Sequence, residues 1–418
     1  MDVKKMNVLI LGSGAREHAL AWRILQSPKL SKLFVAPGNE GTKAIATNLS
    51  DVDPEDVEQV VQAALNYKID LVVVGPEGPL AKGVVNKLQE AGIPVFGPTK
   101  EAAELETRKS LALEVMSETH IPHPESQVFL TPEAVVTFAA EYGKPIVVKA
   151  DGLAGGKGVF VCHTADQILE AARRCMVISP RQPIVVQELL EGREVSVFCF
   201  TDGSHISPLV AACNYKRVGE GNTGAMTGGM GSYAWPEFWT DELQQEILNR
   251  VMRPVLRAME RRGTPFQGVL YAGLMITNEG PKVLEFNCRF GDPEAQVILP
   301  LLITDLLGVM LACAGGELDL IRVEWNHDES TVGVVIASEG YPGPLIGGST
   351  VCGLKMLHPN ILVFQVQGGD SGSGRMMTLV FKAWSVEDAA DTVYENIRQR
   401  LELHNAFCRW DIAAEVLR

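Results

Sequence analysis

An apolar run of four residues that leads straight into a glycine turn is the feature that most constrains the fold of this chain. Residues 8–11 (Val-Leu-Ile-Leu) have the length and composition of a strand buried on both faces. The turn at 12–14 (Gly-Ser-Gly) leads into a predicted helix at 16–26. Further strands are expected at 33–35, 71–74 and 95–96, and further helices at 57–67 and 82–90. This alternation predicts a doubly wound parallel sheet, which we expect to end near residue 104.

More units are expected beyond that sheet, because 418 residues exceed one ordinary core. A helical run at 101–119 and a linker at 121–124 lead into a smaller α/β unit. Its predicted strands are 128–129, 146–149, 159–161 and 184–187, and its predicted helices are 132–142 and 165–176. A third unit is predicted to have strands at 194–200, 206–211, 268–276 and 282–286 and a long helix at 241–262. The last part, about 326–418, is predicted to have strands at 331–337, 361–366 and 376–383 and a helix at 386–403.

The net charge, the cysteines and the lack of long apolar runs limit the kinds of partner, binding site and compartment that we expect for this chain. The formal net charge of −14 argues against a nucleic-acid or anionic-membrane partner, although a small anionic ligand needs only a local basic pocket. The eight cysteines are scattered and form no CxxC pair, which favours reduced thiols over a zinc site or a disulfide framework. No apolar run is long enough to span a bilayer, and no secretory segment is recognisable. We therefore expect a cytoplasmic protein.

The densest group of functional side chains lies at 285–294 (Glu-Phe-Asn-Cys-Arg-Phe-Gly-Asp-Pro-Glu), directly after an apolar strand. Glu285 and Asn287 alternate with Phe286, so their oxygen-bearing side chains are expected on one face. Two such oxygen ligands suit Mg²⁺. Arg289 adds a planar fork for a carboxylate or a phosphate. The pattern favours a metal and anion site, the alternative being a strand end followed by a charged loop.

The first glycine turn does not match a dinucleotide-binding fingerprint. Glu17 replaces its third glycine, and the second strand runs into residues 36–38 (Ala-Pro-Gly) without an acid for a ribose. Backbone N–H groups at such a turn can hold a phosphate. We interpret it as a monophosphate-binding or close-packing turn, and a purely structural turn remains an alternative.

A second glycine-rich loop, at 151–158, carries Lys157 and follows a strand that ends near Lys149. Its glycines permit close approach of the backbone to an anion. It is not a Walker loop, because no Ser or Thr follows Lys157. The arrangement favours a nucleotide-phosphate site, the alternative being a flexible hairpin with solvated lysines.

Two further segments are candidates for ligand contacts. The segment 187–194 offers backbone amides for an adenine edge and carboxylates for ribose hydroxyls, although acidic turns are also common without a ligand. The glycine-rich run 224–231 follows Lys216 and Arg217, and it is interpreted either as backbone folded over a ligand or as a flexible connection.

In this order and spacing, these segments resemble the ATP-grasp ligases, and more closely the glycinamide ribonucleotide synthetase (phosphoribosylamine–glycine ligase) family of purine biosynthesis. The matching segments are 14–20, 36–39, 74–80, 149–159, 227–231 and 285–294, of which 289–294 is specific to the family. The resemblance covers nearly the whole chain and weakens after about residue 340. It implies an N-terminal Rossmann-like domain (1–104), an ATP-grasp domain (105–325) with a mobile lid at about 121–190, and a small C-terminal α+β domain (326–418).

The resemblance also implies roles for individual residues. ATP would contact Lys109, Lys149, Gly155, Gly156, Lys157, Glu188, Leu190 and Glu194, with the lysines at the phosphates, Glu188 and nearby backbone at adenine, and Glu194 at the ribose. Substrates would contact Gly14, Arg16, Glu17, Glu77, Asn214, Lys216, Gly229, Arg289 and Asp292. Glu285 and Asn287 would carry Mg²⁺, with Mn²⁺ as an alternative. The residues implied in catalysis are Arg289, Lys149 and Lys157.

The implied reaction transfers a phosphoryl group from ATP to the carboxylate of glycine, and the amine of 5-phosphoribosylamine then attacks the glycyl phosphate. Such a reaction needs positioning and charge neutralisation rather than a covalent nucleophile. The sequence agrees, because it offers no Ser-His-Asp or Cys-His arrangement and its eight histidines, including His18, are isolated. We expect a monomer or a weak homo-oligomer.

Several positions depart from the family pattern. Asn214-Tyr215 stands where the family usually has Asp-His, and Ala225-Met226 where it has Pro-Asn. Further departures are Leu345, Ile346, the segment 365–368 and Ser373. The groups for metal and phosphate are intact, so ATP chemistry is expected to be preserved. Two alternatives stay open: a paralogous ligase that joins a different carboxylate and amine, and an ATP-binding protein without turnover.

Overall fold

Five parallel strands form the first sheet of the computed structural model, which describes residues 5–155, 157–366 and 374–416. The strands are β1 (Met6–Gly12), β2 (Leu30–Pro37), β3 (Thr47–Asn48), β4 (Leu71–Val74) and β5 (Val95–Phe96), in the order β3-β2-β1-β4-β5. The helices are α1 (Ala15–Ile24), α2 (Glu40–Lys43), α3 (Val57–Asn66), α4 (Glu77–Lys82), α5 (Val84–Glu90) and α6 (Lys100–Thr107). The predicted doubly wound parallel sheet is confirmed.

Two of the predicted helices have other limits in the structure. The one predicted at 82–90 begins at Val84 as α5, because the left-handed backbone of Gly83 (φ 85°) separates it from α4. The one predicted at 101–119 is interrupted at Arg108, which is extended (φ −134°), and α7 (Lys109–Glu118) begins after it. The side chain of Lys109, the first residue of α7, donates to the carbonyl oxygen of Gly152 at 2.8 Å.

The second sheet has four antiparallel strands and a core of its own. Its strands are β6 (Ser126–Phe129), β7 (Ile146–Ala150), β8 (Val159–Cys162) and β9 (Ile184–Glu188), in the order β6-β9-β7-β8. Helices α8 (Pro132–Tyr142) and α9 (Ala165–Ile178) pack on it. The strand β7 ends just after Lys149, which places this lysine beside the glycine-rich loop.

The third sheet has nine strands and joins residues from the middle and the end of the chain. Its strands are β10 (Arg193–Asp202), β11 (Val210–Asn214), β14 (Gly231–Ala234), β15 (Gln267–Thr277), β16 (Gly280–Asn287), β17 (Ser330–Ser338), β19 (Leu362–Gln365), β20 (Arg375–Ala383) and β22 (Ala406–Phe407). Their order is β16-β15-β10-β11-β14-β17-β20-β19, and β22 pairs with β17. The short pairs are β12 (Arg217–Gly219) with β13 (Thr223–Met226), and β18 (Thr350–Cys352) with β21 (Glu402–His404).

The helices around this sheet are α10 (Asp241–Ile247), α11 (Arg253–Arg261), α12 (Glu294–Ile298), α13 (Leu306–Gly315) and α14 (Val386–Arg400). The helix predicted at 241–262 contains a π-helical turn at Leu248–Met252, just before Pro254, which has no N–H for a helical hydrogen bond. The helix predicted at 386–403 stops at Arg400, and its last predicted residues form β21 instead. The strand predicted at 206–211 begins only at Val210. Ile206 forms an isolated bridge with Thr201, and Pro208 has no N–H for a sheet hydrogen bond.

Strands from both sides of residue 326 belong to the third sheet, because β14 pairs with β17 along Gly231–Val334, Ser232–Gly333 and Tyr233–Val332. Among the residues that the structure describes, no helix combines the length and the apolar character needed to cross a membrane.

Candidate active site

A cavity of about 880 Å³ opens where the second and third sheets meet the ends of β1 and β4. The predicted site residues in its wall are Arg16, Glu77, Lys109, Lys149, Gly155, Glu188, Leu190, Glu194, Asn214, Lys216, Glu285, Asn287, Arg289 and Asp292. Gly14, Glu17, Lys157 and Gly229 are not part of this wall, and Gly156 lies outside the described residues. The structure thus gathers most of the candidates, which are far apart in sequence, around one space.

Two lysines form the wall beside the glycine-rich loop. Lys149 is buried, and its ammonium group donates to the carbonyl oxygen of Leu284 at 3.0 Å. Burial lowers the pKa of Lys149 to about 8, an effect that the negative charge of Glu285 opposes and the positive charge of Lys109 increases. A buried ammonium group that is easily deprotonated would be stabilised by a bound anion.

The opposite wall pairs one lysine with two acids. Lys216 contacts Glu194 closely and lies 3.5 Å from Oε1 of Glu285. Burial by itself would raise the pKa of Glu285, but the charges of Lys216, Lys149 and Lys109 outweigh it and lower this pKa to about 2. Glu285 is therefore ionised at neutral pH, which is the form that binds a divalent cation.

Glu285 and Asn287 leave β16 on the same face, as their alternation predicts. Asn287 is buried, and its side chain has no hydrogen-bond partner among the described residues. An ionised carboxylate beside an unpaired amide oxygen is a donor set that fits Mg²⁺.

Arg289 is held between two acids from other parts of the chain. Its Nε donates to Glu77 at 3.0 Å and its Nη2 to Glu106 at 2.8 Å. The charge of Arg289 lowers the pKa of Glu77 to about 2, against the effect of burial. Burial raises the pKa of Glu106, even though Arg289 acts in the other direction. The two acids fix the plane of the guanidinium group at the cavity wall.

The glycine turn at 12–14 is closed by the chain's own carboxylate. The N–H of Gly14 donates to Oε2 of Glu17 at 2.7 Å, and Nε of Arg16 donates to Oε1 of the same side chain at 2.7 Å. Glu17 is buried, and a Cβ atom added at Gly75 would lie 2.3 Å from its Oε1. In this structure, the turn has the close-packed form that was one of the sequence interpretations.

Arg375 connects the C-terminal part of the chain to the site. Its Nη1 donates to the carbonyl oxygen of Asp292 at 2.8 Å and lies 3.3 Å from Oδ1 of the same residue. Burial would raise the pKa of Asp292, but the charges of Arg375 and Arg16 lower it overall. Gly229 has a packing role nearby, because a Cβ atom there would lie 2.5 Å from Oδ1 of Asn214.

Sequence reasoning gave no role to Glu106, Tyr271, Glu294 or Arg375, all of which line the cavity. Glu106 and Tyr271 stand inside a helix and a strand and carry no local motif. Glu294 ends the family-specific segment 289–294, and Arg375 closely follows Ser373, one of the departures from the family pattern. The charge of each side chain was the signal that could have indicated a place in the site.

Some departures from the family pattern lie at contacts made by backbone atoms. The N–H of Gln365 donates to Nδ1 of His18 at 3.0 Å, and its carbonyl oxygen accepts from Asn39 at 2.8 Å, so neither bond depends on its side chain. Tyr215 differs, because its side chain makes the contact: the hydroxyl accepts from the N–H of Ala413 at 2.7 Å. Gln367, Gly368 and Ser373 lie outside the described residues.

The fold is that of the ATP-grasp class. Residues 107–295 match the family described as "Phosphoribosylglycinamide synthetase, ATP-grasp (A) domain", and residues 6–106 match "Phosphoribosylglycinamide synthetase, N domain". A biotin carboxylase domain of the 2-oxoglutarate carboxylase of Hydrogenobacter thermophilus, solved with MgADP, shares the fold. It has a TM-score of 0.70 at 18% identity and covers 96% of this chain and 91% of its own.

Closer relatives define the family. The phosphoribosylamine–glycine ligase of Nostoc sp. (strain PCC 7120) is 46% identical over 98% of this chain and 100% of its own length. The structure of phosphoribosylamine–glycine ligase from Thermotoga maritima has a TM-score of 0.82 at 29% identity and covers 97% of this chain and 100% of its own. The chain belongs to the phosphoribosylglycinamide synthetase family.

Proposed function

We propose that this chain uses ATP to join glycine to 5-phosphoribosylamine, giving glycinamide ribonucleotide, ADP and phosphate in purine biosynthesis. The observation that carries the proposal is the grouping of the buried ammonium of Lys149, the acid and amide of Glu285 and Asn287, and the fixed guanidinium of Arg289 around one cavity. The reaction itself is inferred from the family, because curated relatives of this chain are phosphoribosylamine–glycine ligases.

In this proposal, Lys149 and Lys109 bind the phosphates of ATP. Each ammonium group is held by a carbonyl oxygen, that of Lys149 by Leu284 and that of Lys109 by Gly152, so their positions are set before the nucleotide arrives. Glu188 and the backbone near Leu190 would face adenine, and Glu194 would face the ribose. We also propose that residues 121–190 act as the lid, which would bring Lys157 toward the phosphates.

Glu285 and Asn287 are the residues that would hold Mg²⁺, or Mn²⁺ in its place. The ion would supply charge neutralisation at the phosphate oxygens. Lys216 now neutralises Glu285 across 3.5 Å. A cation bound there would compete with this contact, and Lys216 would keep its partner Glu194.

The reaction has two steps. An oxygen of the glycine carboxylate attacks the γ-phosphorus of ATP; the new O–P bond forms as the bond to the bridging oxygen breaks, and ADP leaves. The amine nitrogen of phosphoribosylamine then attacks the acyl carbon, the C–N bond forms, the C–O bond to phosphate breaks, and the nitrogen gives up one proton. In both steps charge builds up on oxygen atoms, which fixed cations such as Lys149 and Arg289 stabilise.

We also propose that the first domain holds the ribose phosphate through residues 14–17 and Glu77, at the N-terminal ends of α1 and α4.

All eight cysteines are free thiols, which fits a reducing compartment such as the cytoplasm.

The test measures ADP release with Mg-ATP, freshly generated phosphoribosylamine and glycine, omitting each component in turn. Turnover that requires all three supports the proposal. Turnover only with another amino acid would point to a paralogous ligase, and no turnover with any amino acid would leave an ATP-binding protein without this activity.

A further inference from the structure

Glu294 is a buried carboxylate in the wall of the cavity, and only 1% of its surface is exposed. Three neutral groups lie within hydrogen-bond distance of its Oε1: the hydroxyls of Ser196 and Tyr271, both at 3.0 Å, and Nδ2 of Asn214 at 3.1 Å. Oε2 has no hydrogen-bond partner among the described residues. The carboxylate is therefore held in one orientation by its first oxygen while the second remains available.

Space for a ligand at Oε2 depends on Gly291. A Cβ atom added at Gly291 would lie 2.4 Å from Oε2 of Glu294. Both residues line the cavity, so the absence of a side chain at position 291 leaves that oxygen uncovered on this side.

Each of the other acids of the cavity either contacts a basic side chain or is exposed to solvent. Those that lie within 4 Å of a lysine or an arginine are Glu77, Glu106, Glu188, Glu194, Glu237, Glu285 and Asp292. Glu415 is exposed and accepts from the hydroxyls of Tyr215 and Tyr233. Within the described part of the cavity wall, Glu294 is the buried acid without a basic side chain in contact.

Burying a charge is costly unless a charge of opposite sign accompanies it. Ser196, Tyr271 and Asn214 orient the carboxylate of Glu294 but leave its negative charge uncompensated, since all three are neutral. This uncompensated charge matches a ligand group with one positive charge.

We propose that Glu294 binds the ammonium group of the amino-acid substrate through its Oε2. This inference rests on the proposed function and adds the residue that recognises the amino end of glycine. Of the two amino groups in the reaction, that of glycine stays charged throughout, whereas the amine of phosphoribosylamine must be uncharged to attack. A fixed anion stabilises the first and would hold the second in an unreactive form.

The experiment compares steady-state kinetics of the full-length wild type, Glu294→Gln and Glu294→Asp in the ADP-release assay. Glu294→Gln removes the charge and keeps the shape, so the KM for glycine is expected to rise about 10- to 100-fold, the range for a lost charge-assisted hydrogen bond. The KM values for ATP and phosphoribosylamine should stay within about threefold. Glu294→Asp keeps the charge and should raise the KM for glycine less than Glu294→Gln does.

Glycolate, which carries a hydroxyl where glycine carries the ammonium group, separates recognition of the charge from a merely structural role, because a structural role would weaken both ligands alike. Its inhibition constant should change by less than about threefold between the wild type and Glu294→Gln. The matched control is Glu415→Gln, an exposed acid at the same cavity, for which the KM for glycine should stay within about twofold.

Equal weakening of glycine and glycolate, or a rise confined to the KM for ATP or phosphoribosylamine, would overturn the inference while leaving the proposed function intact. If Glu294→Gln does not fold, Glu294→Asp and glycolate carry the test, and a KM for glycine unchanged in Glu294→Asp refutes the inference. If the wild type turns over only with another amino acid, the proposed function fails and the same comparison is made with that amino acid and its hydroxy analogue. Silence of the wild type with every amino acid overturns both.

Discussion

Two glycine-containing loops follow buried strands in this molecule, and the space around their glycines differs. At residues 12–14, protein atoms already fill the space: the N–H of Gly14 bonds Glu17, and a Cβ atom at Gly12 would lie 2.6 Å from Cγ of Glu17. In the loop at 151–158, Gly155 has a left-handed backbone (φ +54°), and no described atom lies within 4 Å of an added Cβ. The first loop is packed against the chain itself. The second borders open space at Gly155, whereas added Cβ atoms at Gly152 and Gly158 would each lie 2.6 Å from another side chain.

The difference separates two uses of glycine that look alike in a sequence. A glycine beside filled space allows two parts of the protein to approach, and its replacement disturbs the fold. A glycine beside open space and next to lysines leaves its backbone accessible to a ligand. The comparison predicts that changes in the first loop act on stability and that changes around the second act on ATP.

The largest effect is expected from Lys149→Met at the second loop. Removing this ammonium group should lower kcat/KM for ATP by about 100- to 1,000-fold, the effect of losing one preorganised charged donor. The free energy of unfolding should not fall, because a buried charge is replaced by an apolar side chain of similar length. Lys144→Met, at an exposed lysine before β7, is the control and should retain wild-type kinetics. Similar kinetics for the two variants would remove Lys149 from the phosphate site.

Acid should destabilise the first loop through His18 in the neighbouring helix. Burial lowers the pKa of His18 to about 4, so the unfolded chain binds a proton at about pH 6.5 and the folded chain only near pH 4. Stability that is present above pH 6.5 is therefore lost as the pH falls to 4, by about 3 kcal/mol from this group.

The measurement is urea unfolding of the wild type and His18→Asn between pH 7 and pH 4. The asparagine oxygen can accept from the N–H of Gln365 as Nδ1 of His18 does. The free energy of unfolding of the wild type, relative to that of His18→Asn, should therefore fall by about 3 kcal/mol between pH 7 and pH 4. A constant difference across this range would show that His18 does not stay neutral.

Gly75→Ala should destabilise the first loop by about 1–3 kcal/mol, because the added methyl group would overlap the buried carboxylate of Glu17. Urea unfolding measures the change, and the KM for ATP should stay within about twofold because the loop does not border the lysine wall. An unchanged unfolding midpoint would mean that Glu17 moves aside freely, and the first loop would then not be a packed one.

The smallest change in stability is expected from Gly155→Asn in the second loop. Asparagine tolerates the left-handed backbone and meets open space, so the free energy of unfolding should change by less than about 0.5 kcal/mol. The KM for ATP should rise if the phosphates approach this backbone. A loss of stability as large as that of Gly75→Ala would contradict the distinction between the two loops.

The sequence predicted well what depends on local patterns. The buried strands at 8–11 and 71–74 and the lysine at the end of β7 follow from apolar runs and their flanking residues. Glu285 and Asn287 share a face because of strand alternation alone. These features need no knowledge of distant parts of the chain.

Contacts between distant segments were not predictable in the same way. Glu106 reaches Arg289 and the N–H of Cys288 from a helix some 180 residues earlier, and nothing in its own segment indicates this. The interruption of a predicted helix at Arg108 also accompanies a tertiary contact, since the side chain of Lys109 bonds the carbonyl oxygen of Gly152 in a distant loop. The roles of the individual site residues stay predictions until the kinetic tests are made.

The pairing of β14 with β17 means that the last ninety residues cannot be removed as a detachable appendage. A chain truncated near residue 326 would expose the backbone N–H and C=O groups of β14 as a bare sheet edge, which favours aggregation. It would also lack Arg375, whose contacts with Asp292 come from the far end of the chain. A shortened protein that stops at the ATP-grasp region would thus have an unfinished sheet and an incomplete cavity wall.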